Sequence, residues 1–276
     1  MPRARNGEVE LEYEVFGDAA LPAVLLVNGL GSQMTRWPAD FCQALAARGL
    51  QPIRYDNRDT GLSTWQTTGY ALADMAADGM AVLDAEGIGR AHIAGVSMGG
   101  MIVQQMAIDF PERVRSMTSI MSATGAPGSL VSTPEAAAVI NVAPSDPTVD
   151  LDAFLAQGAH NAELIGSPGY PWPAGALRAR AEAEYRRGYN PAGVVRQRMA
   201  IMGGGDRTPA LNKLAVPTVV LHGADDPLVQ PIGGEATAAA IPGAELRMIP
   251  GMGHDLPPGL YETFIDAILA ACKRAR

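Results

Sequence analysis

A serine flanked by small residues joins a predicted strand to a predicted helix near the middle of the chain. The strand is His92 to Gly95, the helix is Met98 to Asp109, and Ser97 lies at the corner in the pattern Gly-x-Ser-x-Gly. Such a corner is sharp and strained, and it needs glycines on both sides because a side chain two positions away would clash. The helix directs its N-terminal N–H groups and the positive end of its dipole toward the serine. The pattern favours a fold in which a buried strand turns directly into a helix and exposes a reactive hydroxyl.

Apolar runs and helical patterns alternate along most of the chain. Residues 8–16 alternate apolar and acidic side chains, which predicts an edge strand with one face in water. The run 23–27 is apolar throughout, as expected of a strand buried on both faces of a parallel sheet. Further strands are predicted at 51–55, 92–95, 114–121, 217–222 and 245–249, and helices at 37–48, 70–86, 98–109, 235–241 and 260–272. This order predicts an α/β protein with a mostly parallel central sheet flanked by helices.

The character of the chain changes after the predicted strand at 114–121. From about residue 124 to residue 206, prolines and glycines interrupt alanine-rich helical segments. The regular alternation of strands and helices then resumes at 217–222. We therefore expect residues 1–124 and 207–276 to form the core of one large α/β domain, with residues 125–206 inserted into it as a helical cap.

Composition limits the partners and the compartment. The chain has 276 residues, is 47% hydrophobic and carries a formal net charge of −8. Nucleic acids and anionic membranes select clustered Lys and Arg, so neither is an expected partner. The sequence contains neither an apolar run of about 18 residues nor an apolar stretch behind its first residues, so we expect a cytoplasmic protein. Cys42 and Cys272 lie far apart in predicted helices, which favours reduced thiols over a disulfide framework or a metal cluster.

A nucleophilic serine needs an imidazole to accept its proton and a carboxylate to orient that imidazole. Hydrolases built on strand-ordered α/β sheets place these groups in the order Ser, Asp or Glu, His. His254 fits this order, because it follows a loop-borne aspartate that itself follows a strand. Its loop comes after the last predicted strand, from which a side chain can reach the carboxyl edge of the sheet. We predict structural roles for the other three histidines, which are His92, His160 and His222.

Two adjacent aspartates compete to orient this imidazole. Asp225 and Asp226 lie in the turn after the strand 217–222, where neighbouring residues point in different directions. We favour Asp226, but the residue pattern leaves both open. Asp255, which is next to His254, is interpreted as a residue at the N-terminus of a helix.

Three segments around these residues are similar to one enzyme family. They are Gly95 to Gly99 around the serine, His222 to Pro227 around the aspartates, and Gly251 to His254 around the histidine. Together they resemble an α/β-hydrolase-fold serine esterase, and the resemblance covers essentially the whole predicted core. The blocks 54–63 and 250–257 further resemble the aclacinomycin methylesterase subgroup, which cleaves a methyl ester on a polycyclic polyketide.

The resemblance implies roles that the residue pattern alone does not assign. In the family's Gly-x-x-Asp loop the acid is the third residue after the glycine, which is Asp226 in this chain. The oxyanion hole would be formed by two backbone N–H groups, one from Met98 after the serine and, by resemblance, one from Leu30. Many relatives have His-Gly before this second donor, whereas this chain has Asn28 and Gly29. Because the donor is a main-chain group, we expect the oxyanion hole to be retained.

Neither a cofactor nor a metal is expected. The run 29–31 carries two glycines after a strand, but the third glycine of a dinucleotide-binding motif would fall at Met34. Asp56 and Arg58 follow another strand. We interpret them as an ion pair that stabilises a turn, rather than as a second acid and base.

These features predict hydrolysis of a carboxylic ester of a small to medium apolar substrate through an acyl-enzyme. We expect Met34, Trp172 and Met252 to contact this substrate. Further candidates for the pocket wall are Met98, Met101, Phe154, Leu155, Leu164, Ile165, Tyr170, Tyr185 and Tyr189. One alternative is cleavage of a lactone, including acyl-homoserine lactones, or of a carbon–carbon bond by the same three residues. The other is a ligand-binding protein of the same fold without turnover.

Overall fold

The computed structural model of the chain describes residues 1–142 and 144–275, and the strands in this part form one sheet. The strands are β1 Arg3–Asn6, β2 Val9–Val15, β3 Ala23–Val27, β4 Gln51–Tyr55, β5 Ala91–Val96, β6 Val114–Ile120, β7 Thr218–Gly223 and β8 Glu245–Ile249. They lie in the order β1-β2-β4-β3-β5-β6-β7-β8. The pairs β1–β2 and β2–β4 are antiparallel and the other pairs are parallel. The predicted α/β fold with a mostly parallel central sheet is confirmed.

Helices cover both faces of this sheet. The helices are α1 Ala39–Ala47, α2 Leu72–Ala85, α3 Met98–Asp109, α4 Pro134–Asn141, α5 Leu151–Ile165, α6 Ala176–Arg187, α7 Pro191–Gly203, α8 Thr208–Leu211, α9 Ile232–Ala240 and α10 Tyr261–Arg274. Apolar side chains of α2 and α3 pack on one face, and those of α1 and α10 pack on the other. The sheet is therefore the middle layer of three.

The apolar strands lie where both faces of the sheet are covered. All residues of β3 are buried, and its side chains alternate between the two core clusters. Leu25 and Val27 join the cluster under α2 and α3, whereas Val24 and Leu26 join the cluster under α1 and α10. A strand exposes alternate side chains on opposite faces, so an uninterrupted apolar run fits this central position.

Helix α8 was not predicted, and strand β1 and helix α9 also differ from the sequence prediction. Strand β1 was not predicted, because Arg3–Asn6 is polar and has little preference for a strand. It forms by antiparallel pairing with the edge strand β2. Helix α9 begins at Ile232, before the predicted start at residue 235, although it then includes two glycines that favour other conformations. A side chain at Gly234 would lie 2.6 Å from the ring of His222, so close packing explains the glycine there.

Helices α4 to α7 lie between β6 and β7 in the chain, within the predicted insertion. They contribute little to the apolar core, and α6 has no buried residue among the twelve it contains. The boundaries of the insertion at 125 and 206 stay a prediction. In the described part of the chain, no helix is both long and apolar enough to cross a membrane. Both cysteines, Cys42 and Cys272, are free thiols.

Candidate active site

Ser97 lies at a strained corner between β5 and α3. Its backbone has φ 55° and ψ −121°, a left-handed conformation that ordinary residues seldom adopt. Two glycines make the corner possible. A Cβ atom at Gly95 would lie 2.1 Å from the carbonyl oxygen of Gly99, and a Cβ atom at Gly99 would lie 2.3 Å from the carbonyl oxygen of Val27. The predicted strand, sharp turn and helix are therefore present, and they raise the serine above the carboxyl edge of the sheet.

Three side chains from distant parts of the sequence form one hydrogen-bonded line. Ser97 Oγ lies 2.9 Å from His254 Nε2, and His254 Nδ1 lies 2.7 Å from Asp226 Oδ2. The other carboxylate oxygen of Asp226 accepts the backbone N–H groups of Leu228 and Val229, each at 2.9 Å. Because Asp226 accepts from Nδ1, that nitrogen carries the proton and Nε2 is left to accept from the serine hydroxyl. This arrangement can transfer a proton from the serine to the imidazole.

The two adjacent aspartates point in different directions. Asp226 is buried and contacts the imidazole of His254, whereas Asp225 is exposed. Asp225 Oδ2 accepts the backbone N–H of Gly251 at 2.7 Å and so joins the turn after β7 to the loop after β8. The structure thus brings Asp226 to the serine and the histidine, and it places Asp225 outside this group.

The other histidines lie apart from the serine. The ring of His222 donates from Nε2 to the carbonyl oxygen of Val229 at 2.7 Å and lies 3.6 Å from Asp226 Oδ2. Burial lowers the pKa of His222, which keeps it neutral beside that carboxylate. His92 is hydrogen-bonded to a neighbouring serine hydroxyl, and burial lowers its pKa to about 4. His160 belongs to α5 and lines a separate surface depression.

The loop after β3 lies against the serine. A Cβ atom at Gly29 would be 3.2 Å from Ser97 Cβ, so the backbone of this loop passes directly beside the hydroxyl. Leu30 and Met98 line the same cavity as Ser97. Among the described residues, neither the Leu30 nor the Met98 N–H donates a hydrogen bond. Both groups are therefore available to a substrate oxygen.

Asn28 joins the ends of two strands beneath this loop. Its side chain is buried and donates from Nδ2 to the carbonyl oxygen of Tyr55 at 3.2 Å. In return, Asn57 Nδ2 donates to the backbone carbonyl oxygen of Asn28 at 3.0 Å. The departure from the usual His-Gly pattern thus supplies a contact between the end of β3 and the end of β4.

Two glutamines connect the loop after β3 to the insertion, and sequence reasoning missed both. Gln197 of α7 is fully buried, accepts the Gly31 N–H at 2.8 Å and donates to the carbonyl oxygen of Arg58 at 2.9 Å. Gln33 donates to the carbonyl oxygens of Glu184 and Gly188 at the end of α6, each at 2.8 Å. Polar residues dispersed over three segments leave no local pattern, so only the packed structure identifies them.

A cavity of about 630 Å³ opens beside Ser97 and His254. Its wall combines the loop after β3, the start of α3 and residues of the insertion. The apolar part of the wall includes Leu30, Met98, Met101, Ile140, Ile165 and Ile201. A cavity of this size and character can hold a drug-sized apolar molecule.

The three residues predicted to contact substrate lie outside this cavity. Met34 is buried near the core, where its N–H donates to Asp56 at 2.7 Å. Met252 is buried in the apolar cluster under α1 and α10. Trp172 donates its indole N–H to Asp255 Oδ2 at 2.7 Å and lines the separate depression. A position next to a loop of the site, or within the insertion, does not determine which way these side chains point, and that prediction is corrected.

Three aromatic residues that we predicted as pocket wall pack on one another instead. The ring centroids of Phe154, Tyr185 and Tyr189 lie 5.0 to 5.7 Å apart. They form a small apolar centre within the insertion, away from the cavity that holds Ser97. Their aromatic character reflects packing between α5, α6 and the turn after α6.

Asp255 is not at a helix N-terminus as predicted. It lies in the loop between β8 and α10, where it accepts hydrogen bonds from the Ser167 hydroxyl and the Trp172 indole. Burial raises the pKa of Asp255 above its usual value. This carboxylate therefore attaches the loop that carries His254 to the insertion.

The predicted ion pair between Asp56 and Arg58 is also wrong. Asp56 is buried and pairs with Arg187 of α6 at 2.6 Å, whereas Arg58 pairs with Asp78 of α2 at 2.6 Å. Each residue thus joins the loop after β4 to a different helix. Sequence proximity suggested a local pair, but the side chains diverge toward partners far along the chain.

Arginines line the cavity as well, which the sequence did not indicate. Arg36, Arg180 and Arg198 come from a short turn after β3, from α6 and from α7. Arg36 forms a two-pronged ion pair with Glu184. Arg198 donates to the carbonyl oxygen of Ile140 at 2.9 Å and to the side-chain oxygen of Asn141. The three are dispersed over the sequence, so no cluster of basic residues marks them.

The fold and the site define a class of protein, a hydrolase with a serine, histidine and aspartate at the carboxyl edge of an α/β sheet. A family model described as the alpha/beta hydrolase fold matches residues 22–164. The chain belongs to this family.

Individual relatives agree with this assignment. Rhodomycin D methylesterase DnrP of Streptomyces peucetius is 29% identical over 98% of this chain and 97% of the relative. A solved hydrolase from Pseudomonas aeruginosa PA01 is 25% identical, covers 97% of this chain and 96% of its own, and has a TM-score of 0.74. The solved structure of Est816, described as an N-acyl homoserine lactone degrading enzyme, is 27% identical, covers 92% and 93%, and has a TM-score of 0.70. The predicted resemblance to a methylesterase group is confirmed, and with it the class of an ester hydrolase.

Proposed function

We propose that this protein cleaves a carboxylic ester of a small to medium, largely apolar substrate, with Ser97 as nucleophile, His254 as general base and Asp226 as the residue that orients the base. The observation that carries this proposal is the unbroken line of hydrogen bonds from the Ser97 hydroxyl through the imidazole to the Asp226 carboxylate. That line ends at a cavity whose wall is mainly apolar. A strained nucleophile with an adjacent base matches the chemistry of acyl transfer.

The reaction follows from the positions of these groups. Ser97 Oγ attacks the carbonyl carbon of the ester while its proton passes to His254 Nε2. Asp226 stabilises the imidazolium, and the N–H groups of Leu30 and Met98 donate to the negative oxygen of the tetrahedral intermediate. The carbon–oxygen bond to the alcohol then breaks, and the alcohol takes the proton from His254. Water, activated by the same imidazole, attacks the acyl-enzyme and releases the acid.

The insertion 125–206 would act as the cap over this reaction. Its helices supply Ile165 and Ile201 to the cavity wall, next to Leu30 from the core. Methyl esters on an aromatic or polycyclic skeleton are a substrate class to test first. One relative is named a rhodomycin D methylesterase, and the subgroup that the sequence resembles cleaves a methyl ester on a polycyclic molecule. No step of this reaction uses a cofactor or a metal, and the cytoplasmic location stays a prediction.

The decisive experiment replaces the nucleophile. Ser97→Ala should lower turnover of p-nitrophenyl butyrate and of aromatic methyl esters by at least about a thousandfold, with the circular dichroism spectrum unchanged. Ser145→Ala is the matched control, because its hydroxyl contacts Gln157 within the insertion. A fluorophosphonate probe should label Ser97 in the wild-type protein. Full turnover by Ser97→Ala would exclude the proposal, and a tight ligand without labelling or turnover would favour a binding protein.

A lactone is the second candidate substrate. The solved relative that degrades N-acyl homoserine lactones supports it, since that relative covers most of this chain at 27% identity. The same serine, histidine and aspartate would open a lactone ring, because the carbonyl chemistry is identical. Parallel assays with acyl-homoserine lactones and with open-chain methyl esters of the same acyl length distinguish the two. A higher kcat/KM for the lactones would favour the second candidate.

A further inference from the structure

Arg180 differs from the other arginines of its helix. Helix α6 contains four arginines, and three of them pair with a carboxylate: Arg178 with Asp152, Arg186 with Glu182 and Arg187 with Asp56. Within the described residues, Arg180 has no carboxylate within 4.0 Å and donates no side-chain hydrogen bond. It lines the cavity that contains Ser97 and His254. The five N–H donors of its guanidinium can therefore bind an acceptor in this cavity.

The neighbouring carboxylates are already occupied. Both oxygens of Glu184 accept hydrogen bonds from Arg36. The two oxygens of Asp255 accept the Ser167 hydroxyl and the Trp172 indole. Each of these acids therefore has its own donors, and the hydrogen-bonding capacity of Arg180 is left for another molecule.

Trp172 orients this arginine. The guanidinium carbon of Arg180 lies 4.7 Å from the centroid of the Trp172 ring, within the range of a cation–π contact. The indole N–H of Trp172 is fixed by Asp255, the residue after His254. Burial and the nearby Arg36 lower the pKa of Arg180 to about 10, so the guanidinium is charged at neutral pH. Trp172 thus lies behind the cavity wall and holds the charged guanidinium of Arg180 at the surface of the cavity.

The remainder of the cavity limits what this charge can bind. Arg36 and Arg198 are committed to protein acceptors, and most of the surrounding wall is apolar. The planar guanidinium matches a carboxylate in a two-pronged hydrogen bond. We propose that Arg180 binds a carboxylate of the substrate, so that the preferred esters are those that carry a second, ionised acid group on an apolar chain or ring. This inference rests on the proposed function of Ser97 and His254.

The first test compares esters that differ only in charge. Monomethyl esters of dicarboxylic acids from succinate to azelate are assayed beside the dimethyl esters of the same acids. The wild-type protein should prefer the monomethyl ester at the chain length that spans the distance from Ser97 to Arg180. In Arg180→Gln the KM for that monoester should rise by about tenfold to a hundredfold, because a hydrogen bond to a charged group is lost. The KM for the dimethyl ester should stay the same.

Two further variants serve as controls. Arg178→Gln removes an arginine two residues away that faces Asp152 outside the cavity, and it should leave both KM values unchanged. Arg180→Lys keeps the charge without the planar fork and should retain part of the preference. An equal KM increase for charged and neutral esters in Arg180→Gln would overturn the proposal, as would equal use of both esters by the wild-type protein at every chain length.

A binding measurement separates this proposal from the proposed reaction. Free dicarboxylates from succinate to azelate are titrated calorimetrically into Ser97→Ala and into the double variant Ser97→Ala, Arg180→Gln. Binding to the first and its loss in the second would support the carboxylate site even if the wild-type protein hydrolysed none of the esters. Binding of the dicarboxylates without hydrolysis of the esters would contradict only the proposed esterase mechanism. Absence of binding to both variants, together with no charge preference among the esters, would overturn the role of Arg180.

Discussion

Helix α3 of the sheet core and helix α6 of the insertion are held in place by different kinds of contact. In the core, α3 buries nine residues against the sheet, most of them apolar. In the insertion, α6 buries none, and ion pairs join it to the core. Arg187 pairs with Asp56, and Glu184 pairs with Arg36. Close apolar packing resists any change of side-chain volume, whereas each ion pair joins α6 to the core through a single pair of residues. Ser97 thus lies at the start of a closely packed helix, whereas the part of the cavity wall that comes from α6 belongs to a helix joined to the core by ion pairs.

The two regions meet at the loop that follows β3. Gln197 of the insertion accepts the N–H of Gly31, the residue after the proposed oxyanion donor Leu30. A displacement of α7 would therefore move the backbone next to this proposed donor. We expect substitutions at closely packed positions of the core to have larger effects than substitutions in the insertion.

The largest effect is expected at the aspartate of the core. Asp226→Asn should lower kcat by about 10⁴-fold with little change in KM, because the imidazole loses its orientation and its stabilising charge. Asp225→Asn is the control, since its carboxylate contacts only the backbone of Gly251 among the described residues. It should retain kcat within about tenfold. Steady-state kinetics on one ester measures both, and a larger loss in Asp225→Asn would reverse the assignment of the acid.

The second prediction compares glycines in the two regions. Gly99→Ala should lower the free energy of unfolding by more than about 4 kcal/mol, because the new Cβ atom would lie 2.3 Å from the backbone oxygen of Val27. A Cβ atom at Gly203 in α7 would have no atom beyond its own helix within 4 Å. Gly203→Ala should therefore raise the free energy of unfolding by less than about 1 kcal/mol. Urea denaturation followed by circular dichroism measures both. Similar losses would show that the insertion is packed as tightly as the core.

The smallest of the three effects concerns the attachment of the insertion. Arg187→Gln leaves the buried Asp56 carboxylate without its charged partner and should lower the free energy of unfolding by about 3 kcal/mol. Arg186→Gln removes an exposed pair with Glu182 and should change it by less than about 0.5 kcal/mol. Urea denaturation followed by circular dichroism measures the free energy of unfolding of both variants. Equal effects would mean that the contact with Asp56 does not attach the insertion.

Much of the fold was predictable because its signals are local. The uninterrupted apolar run at 23–27 becomes β3 at the same residues, and the predicted strand at 51–55 becomes β4. Edge strand β1 was missed because its polar residues are ordered by pairing with β2 rather than by their own preference. Of the site, the serine and the histidine followed from pattern and order. The choice between the two aspartates needed the resemblance to a family, because both lie in one turn.

Most of the strands, the sharp turn at Ser97 and the order of the serine, aspartate and histidine along the chain can be predicted from the amino-acid sequence, because periodicity and glycine spacing act over a few residues. Which side chains face the cavity depends instead on how the folded chain packs. The tertiary structure placed Trp172 behind the wall and Arg180 on it, and it gave Asp56 a partner from α6 rather than from its own turn. These outcomes depend on how separate segments pack together, and a loop or an exposed helix carries no local pattern that fixes the direction of its side chains.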